Sequence, residues 1–247
     1  MIEIHELTEL PDLAEAVRLQ KEIWGFQDID LLPLRLFVVA TKIGGQVLGA
    51  YDGNRMVGFC LGIPGVKPGG MAYMHSHMMG VDAEYRNRGV GRLLKLQQRV
   101  DCLQRGIQLI EWTFDPLEVK NAFFNIERLG AYVRRYVLNQ YGVTTSELNA
   151  GMPTDRCVAE WHIADPRVAL ILDGSGAPRP EIVARIEVPA NIGTLRRTDQ
   201  PKAREIQKRV SEQFLKCFRN DLAVVGFERS EESGTYLLAK WPFELNA

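Results

Sequence analysis

Hydrophobic positions along this chain switch between two periods, and the switches mark its elements. Ile2 and Ile4 alternate with polar residues as far as Thr8, as an edge strand would; Leu13, Ala16, Val17, Gln20, Ile23 and Trp24 then recur along one side of a helix. Residues 33–43 open on a proline and close on Gly44-Gly45, the punctuation of a second helix. Apolar runs at 46–51 and 56–63 flank Asp52-Gly53-Asn54-Arg55, where glycine and asparagine tolerate positive φ, so the pair predicts a hairpin. A loop over 64–70 and a long strand over 71–81 extend the meander. Helical spacing returns at Val90, Leu93, Leu94, Val100 and Leu103, and a strand over 108–114 follows, ended by Asp115-Pro116. The pattern then predicts a helix over 117–129 stopped by Gly130 and a strand over 131–138.

Beyond Gly142 the signals thin out. Residues 157–163 and 181–188 read as strands separated by a Gly/Pro-rich loop at 174–180. Ala203, Ile206, Val210, Phe214 and Cys217 or Phe218 outline an amphipathic helix, and 222–227 with 235–241 predict a closing hairpin. The expected architecture is α+β with a mixed sheet. One domain is expected over 1–145 and a C-terminal α+β lobe over 146–247. That lobe carries no motif with assignable chemistry, which leaves packing, dimerisation or the shaping of an acceptor pocket.

Composition narrows the function classes. The 247 residues carry a net charge of −1 with 25% charged residues, and no aromatic-basic stripe suits nucleic acid. No apolar run approaches ~18 residues, and the acidic start Met1-Ile2-Glu3-Ile4-His5-Glu6 is unlike a signal peptide, so a cytoplasmic protein with no membrane partner is expected. Cys60, Cys102, Cys157 and Cys217 form no C-x-x-C pair and read as free thiols.

Chemistry concentrates in the run from Met74 to Arg92. It reads as a strand to Val81, a turn, and a helix starting at Gly89-Val90-Gly91. A helix N-terminus offers unpartnered N–H groups, and glycines leave room for a bulky anion. Arg86, Arg88 and Arg92 crowd that end although cations there oppose the macrodipole, an arrangement that suits a bound phosphate. The turn is no dinucleotide fingerprint, because Leu94 stands where a third glycine belongs, and no Walker G-K-[ST] is present. His75 and His77 lie two apart on the strand and project to one face, with an ordinary pKa near ~6.5 suited to proton removal. The same H-x-H spacing fits a zinc site lacking a signalled third ligand, or a satisfied cleft pair.

Arg86-x-x-Gly89-x-Gly91 after that strand resembles the acyl-CoA pyrophosphate loop of the GNAT N-acyltransferase superfamily, and the order β-α-α-β-β-β-α-β-α-β over residues 1–142 is that superfamily's order. Asn121-Ala122-Phe123-Phe124-Asn125-Ile126-Glu127-Arg128-Leu129-Gly130-Ala131 resembles the helix beside the CoA tail. Ala122, Leu129 and Gly130 fit, whereas Ile126 replaces the tyrosine that often protonates the departing thiolate. Trp112-Thr113-Phe114-Asp115-Pro116-Leu117, Asn139-Gln140-Tyr141-Gly142 and Gly151-Met152-Pro153-Thr154-Asp155-Arg156 are similar to an uncharacterised bacterial group of predicted acetyltransferases, linked with N-acylated amino acids including N-succinylation.

The resemblance implies transfer of an acetyl or succinyl group from acetyl-CoA or succinyl-CoA to a primary amine, with no permanently bound cofactor or metal. A small-molecule amine such as an amino acid would be the acceptor, with a homodimer among the assemblies left open. Backbone N–H groups of Met79, Gly80 and Val81, with Arg86, Asn87, Arg88, Gly89, Val90, Gly91 and Arg92, would hold the carrier, helped by Asn121, Phe124 and Asn125. His75 and His77 would relay the ammonium proton, as in the similar H-x-H strand of arylalkylamine N-acetyltransferases. The acid would be Tyr141, Tyr136 or solvent. Asp115 and Glu111 are further base candidates, and Trp112, Asp115 and Arg156 would face the acceptor, Arg156 as a carboxylate clamp. The rival reading is a non-catalytic CoA-binding or scaffold protein.

Overall fold

The computed structural model describes residues 1–142 and 151–241, which pack as two compact units, one spanning Met1–Trp112 and the other beginning at Thr113. The domain boundary expected at 145/146 lies outside the described residues.

In the first unit the elements are β1 (Ile2–Glu6), α1 (Leu10–Trp24), α2 (Leu34–Lys42), β2 (Gln46–Asp52), β3 (Arg55–Val66), β4 (Ala72–Val81), α3 (Val90–Gln104) and β5 (Leu109–Phe114). The strands lie in the order β1-β2-β3-β4-β5, antiparallel through β4, with β5 parallel to β4. Period-two alternation sorts side chains between the two faces. Val47, Phe59 and Leu61 join Leu13, Ala16 and Leu19 of α1 and Phe37 and Ala40 of α2. Leu48, Ala50, Val57 and Cys60 pack instead with Val90 and Leu94 of α3.

Two expectations need correcting here. The loop expected over 64–70 is shorter, because β3 runs to Val66 and includes Pro64. β2 accompanies β3 only to Gly62, so Pro64 stands on a free edge where its missing N–H costs no ladder bond. Helix α3 also exposes Leu93 and Val100; its buried stripe is Val90, Leu94, Gln98 and Cys102, with Lys95 beside it.

The second unit holds α4 (Val119–Phe123), continued by a π-helical turn over Phe124–Arg128, then β6 (Tyr132–Val137), β7 (Arg156–His162), α5 (Pro166–Leu172), β8 (Ala184–Pro189), α6 (Ile192–Thr198), α7 (Gln200–Arg219), β9 (Leu222–Arg229) and β10 (Ser233–Lys240). Its strands lie in the order β7-β6-β9-β10-β8. The helix expected to run unbroken over 117–129 is thus shorter and changes pitch at Phe124, while Gly130 at φ 79° stops it as the pattern implied. Helices α5 and α6 were not expected. Asp165 caps α5 by accepting from the Arg167 N–H at 2.8 Å, with Pro166 in the first helical position. Phe214 of α7 meets Tyr236 of β10 edge-on with centroids 4.9 Å apart, and Phe227 of β9 does the same at 4.7 Å. No described helix is long and apolar enough to cross a membrane.

Candidate functional site

The centre of the first unit's chemistry is β4, which departs from a regular strand twice. Against β3, Leu61 pairs with Met78 and Gly62 with Ser76, so His77 is an extra residue on β4, a bulge. Against β5 the ladder consists of Met74↔Ile110 and His75↔Glu111, while β4 continues to Val81. Past His75, the amides on that side of β4 run beyond the two-rung ladder. A bulge and an early ladder end are irregularities that can leave strand N–H groups outside the regular ladder. The side chains of Met79 and Val81 pack toward α3, and a Cβ on Gly80 would stand 2.7 Å from Ile23 and Trp24. What these three residues present is therefore backbone.

One face of β4 carries Tyr73, His75 and His77, the two imidazoles 5.7 Å apart between centroids. Burial lowers both, and for His75 the neighbouring His77 adds to it, bringing it down to about 4. The ordinary value near ~6.5 that spacing alone suggested is thereby corrected. At neutral pH His75 is an uncharged acceptor. Glu111, level with His75 on β5 and only 4% exposed, accepts from the Lys67 ammonium through both oxygens at 2.6 Å.

The opposite face is a buried polar cluster. Lys95, 2% exposed, donates to Ser76 Oγ at 2.7 Å and Gln98 Oε1 at 3.2 Å, and its Nζ lies 3.9 Å from the centre of the Trp112 ring. Burial lowers its pKa to about 8. Trp112, expected at the acceptor, is instead packed against this lysine, because as the neighbour of Glu111 it points to the other side of β5.

After β4 the chain turns as expected. Asn87 takes φ 61° and Gly89, the N-cap of α3, φ 84°, and a Cβ on Gly89 would meet nothing within 4 Å. The turn residues Arg86, Asn87, Arg88 and Gly89 are exposed. Arg86 leans on the carbonyls of Val81 (3.3 Å) and Ile23 (3.4 Å), and Arg88 stacks over Tyr85. Val90 is core and Gly91 lies against Met79, so their possible contribution is again backbone N–H.

The remaining candidates belong to the second unit. Asn125 is buried and donates to Asn121 Oδ1 at 3.2 Å, while Phe124 is half-buried where the helix changes pitch. Tyr141, 44% exposed, shares a 2.9 Å hydrogen bond with Thr113 Oγ1, and the Arg156 guanidinium lies over its ring. Tyr136 is a buried donor to Asp155 at 3.0 Å, raised by burial first and the Asp155 charge second. Asp115 has structural partners, the Leu117 N–H at 2.9 Å and Arg196 at 2.6 Å. Arg156 donates to the Asp155 carbonyl at 2.8 Å. The 139–142 and 151–156 segments clasp each other: Asn139 N–H meets Asp155 Oδ1 at 2.9 Å, Tyr141 N–H meets Thr154 Oγ1 at 2.9 Å, and Thr154 N–H meets Asn139 Oδ1 at 3.2 Å. Their sequence signature has a folding reason.

Sequence reasoning missed Lys67, Tyr73, Ser76 and Lys95. Among the described residues no group of three His, Cys, Asp or Glu side chains converges as a metal site would.

Residues 10–130 match the model of the Acetyltransferase (GNAT) family. No curated protein sequence matches the chain. Solved structures are similar in fold at low identity. The ribosomal-protein-S18-alanine N-acetyltransferase from Escherichia coli is 17% identical with a TM-score of 0.53, over 67% of this chain and 96% of that one. A putative acetyltransferase from Salmonella typhimurium, solved with acetyl-CoA, is 15% identical with a TM-score of 0.53, over 67% and 97%. A putative acetyltransferase of the GNAT family from Desulfovibrio desulfuricans is 13% identical with a TM-score of 0.51, over 66% and 100%.

Proposed function

We propose, from the match of residues 10–130 to the GNAT acetyltransferase family, that this chain transfers an acetyl or succinyl group from the corresponding acyl-CoA to a primary amine. The observation that carries the reading is the end of the β4–β5 ladder at His75, followed at once by the His77 bulge and, beyond Val81, by the glycine-capped start of α3. In this reading the open amides of β4 polarise the thioester carbonyl, and the Gly89 turn with Arg86 and Arg88 takes the pyrophosphate. The amine nitrogen bonds to the carbonyl carbon, the carbon–sulfur bond breaks, and the products are an amide and free CoA. His75 and His77, both neutral at pH 7, pass the surplus ammonium proton through water toward solvent. Where the family resemblance would put a tyrosine, position 126 holds a buried isoleucine, so the thiolate is protonated by another group or by water.

The test is thiol release from acetyl-CoA and succinyl-CoA across a panel of primary amines, with CoA binding measured in parallel by calorimetry. Amine-dependent release with either donor is the expected result. Binding without release across the panel overturns the enzyme reading in favour of a CoA-binding scaffold. Absence of both overturns the carrier site itself.

A further inference from the structure

The ammonium of Lys67 sits in surroundings suited to any ammonium. Glu111 grips it with both carboxylate oxygens at 2.6 Å, and the face of Tyr73 covers it with the ring centre 4.5 Å away. A buried carboxylate opposite an aromatic face is how proteins recognise organic cations. The third wall follows from strand geometry. Tyr73 and His75 alternate onto one face of β4, and His75 is the register partner of Glu111.

The two ends of this ion pair are built differently. Glu111 is fixed in a strand with its side chain 6% exposed, while the Lys67 side chain is 22% exposed and reaches in from the β3–β4 turn. That turn is closed by backbone bonds, Lys67 N–H to Met71 O at 2.8 Å and Gly70 N–H to Lys67 O at 3.0 Å. Gly69 and Gly70 hold it in positive φ. Rotation of the lysine arm therefore withdraws its ammonium from Glu111 without breaking either backbone bond of the turn.

We propose that Glu111, Tyr73 and His75 form the seat for the acceptor's ammonium, and that Lys67 fills this seat until an acceptor displaces it. Its use in acyl transfer rests on the acyltransferase reading above; its affinity for ammonium does not. The group that already enters is the end of a four-methylene arm, so the seat takes an unbranched alkylammonium such as a lysine side chain or a diamine. An α-ammonium brings its own carboxylate within one carbon of Glu111, where like charges repel. The charged and titratable groups facing the His75 imidazole are Glu111, Lys67, neutral His77 and, from beneath, Lys95. With Glu111 engaged by the incoming ammonium, neutral His75 stands beside the nitrogen that must lose its proton.

The experiment uses the full chain, with n-butylammonium as probe and glycine as control, followed by calorimetry and by melting temperature. Lys67→Met should bind n-butylammonium roughly tenfold more tightly than the unaltered chain, because the Lys67 ammonium no longer competes, and butylammonium should raise its melting temperature. Glycine should do neither. The Lys67→Met/Glu111→Gln double variant removes both charges together and so leaves no buried ion unpaired; it should melt normally and lose the probe. Equal affinity in the unaltered chain and Lys67→Met, no binding in either, or equal binding of glycine overturns the proposal. The two readings fail separately. Tighter butylammonium binding without thiol release keeps the seat and removes the acyltransferase. Thiol release whose amine KM ignores both variants removes the seat and keeps the acyltransferase.

Discussion

The two faces of β4 carry similar side chains to opposite ends. Toward α3, Lys95 is enclosed by Ser76, Gln98 and the Trp112 ring, and the partners of that buried ammonium are neutral. On the other face, Lys67 reaches a carboxylate from a turn, beside two half-buried imidazoles. Polar groups on the first face are spent on one another within the core, whereas on the second the lysine arm remains partly exposed. The difference is one of access, and it separates packing from candidate chemistry more sharply than residue type does.

The largest expected effect breaks the accessible face. Replacing His75 and His77 together with alanine should cut kcat for amine acylation by roughly 10²–10⁴-fold while leaving the melting temperature nearly unchanged. A loss of melting temperature matching the loss of rate would make the pair structural and remove the contrast.

Next in size is a pH effect on the same face. His75 stays neutral in the folded chain down to about pH 4, whereas an unfolded histidine titrates near ~6.5. Between those values the unfolded state binds more protons, so stability is complete above about 6.5 and falls by roughly 2–3 kcal/mol as the pH drops toward 4. Urea titrations at both ends of the window should show this slope, reduced in His75→Gln. A flat profile would mean that the imidazole is better solvated than its burial indicates.

At the strand's far end, Gly89→Val forces a branched residue into φ 84° while meeting no neighbour, so it strains only the turn. CoA affinity should fall by about tenfold, with stability lowered by about 1–2 kcal/mol. Calorimetry with CoA checks this.

The smallest effect belongs to the closed face. Lys95→Met keeps the volume and removes a buried charge lacking a carboxylate, so stability at pH 7 should stay within about 1 kcal/mol of the unaltered chain or rise. The lysine's lowered pKa adds a signature. Since the folded chain releases that proton near 8 and an unfolded lysine near 10.5, the unaltered chain gains stability across that interval and Lys95→Met does not. Strong destabilisation by Lys95→Met would show the closed face to be more than packing.

Much of the first unit was legible because its elements announce themselves locally: the Asp52-Gly53-Asn54-Arg55 turn, the glycines closing α2, and the Gly89 start of α3. The histidine pair was legible for the same reason. Lys67 and Glu111 were not connected beforehand, since 44 positions separate them and a turn lysine looks like solvent-facing punctuation. Lys95 was hidden because a charged residue beside a helix's buried stripe reads as surface. The bulge at His77 left no mark, because a strand of uniform apolar composition conceals which residue is surplus. In the second unit α5 and α6 went unnoticed, each only seven residues long and so too short for a periodic signal, although Asp165-Pro166 was a usable start.

The extra position on β4 has a consequence for how such a strand tolerates change. Ser76 points toward α3, Met78 packs with α1 and α2, and Met79 returns to α3, so alternation is regular once His77 is omitted. Excising that single imidazole-bearing residue would therefore leave every core neighbour in phase, and restoring it would reopen the kink. The His77 position is a detachable insertion in an otherwise orthodox ladder, free to vary without the hydrophobic interior having to follow.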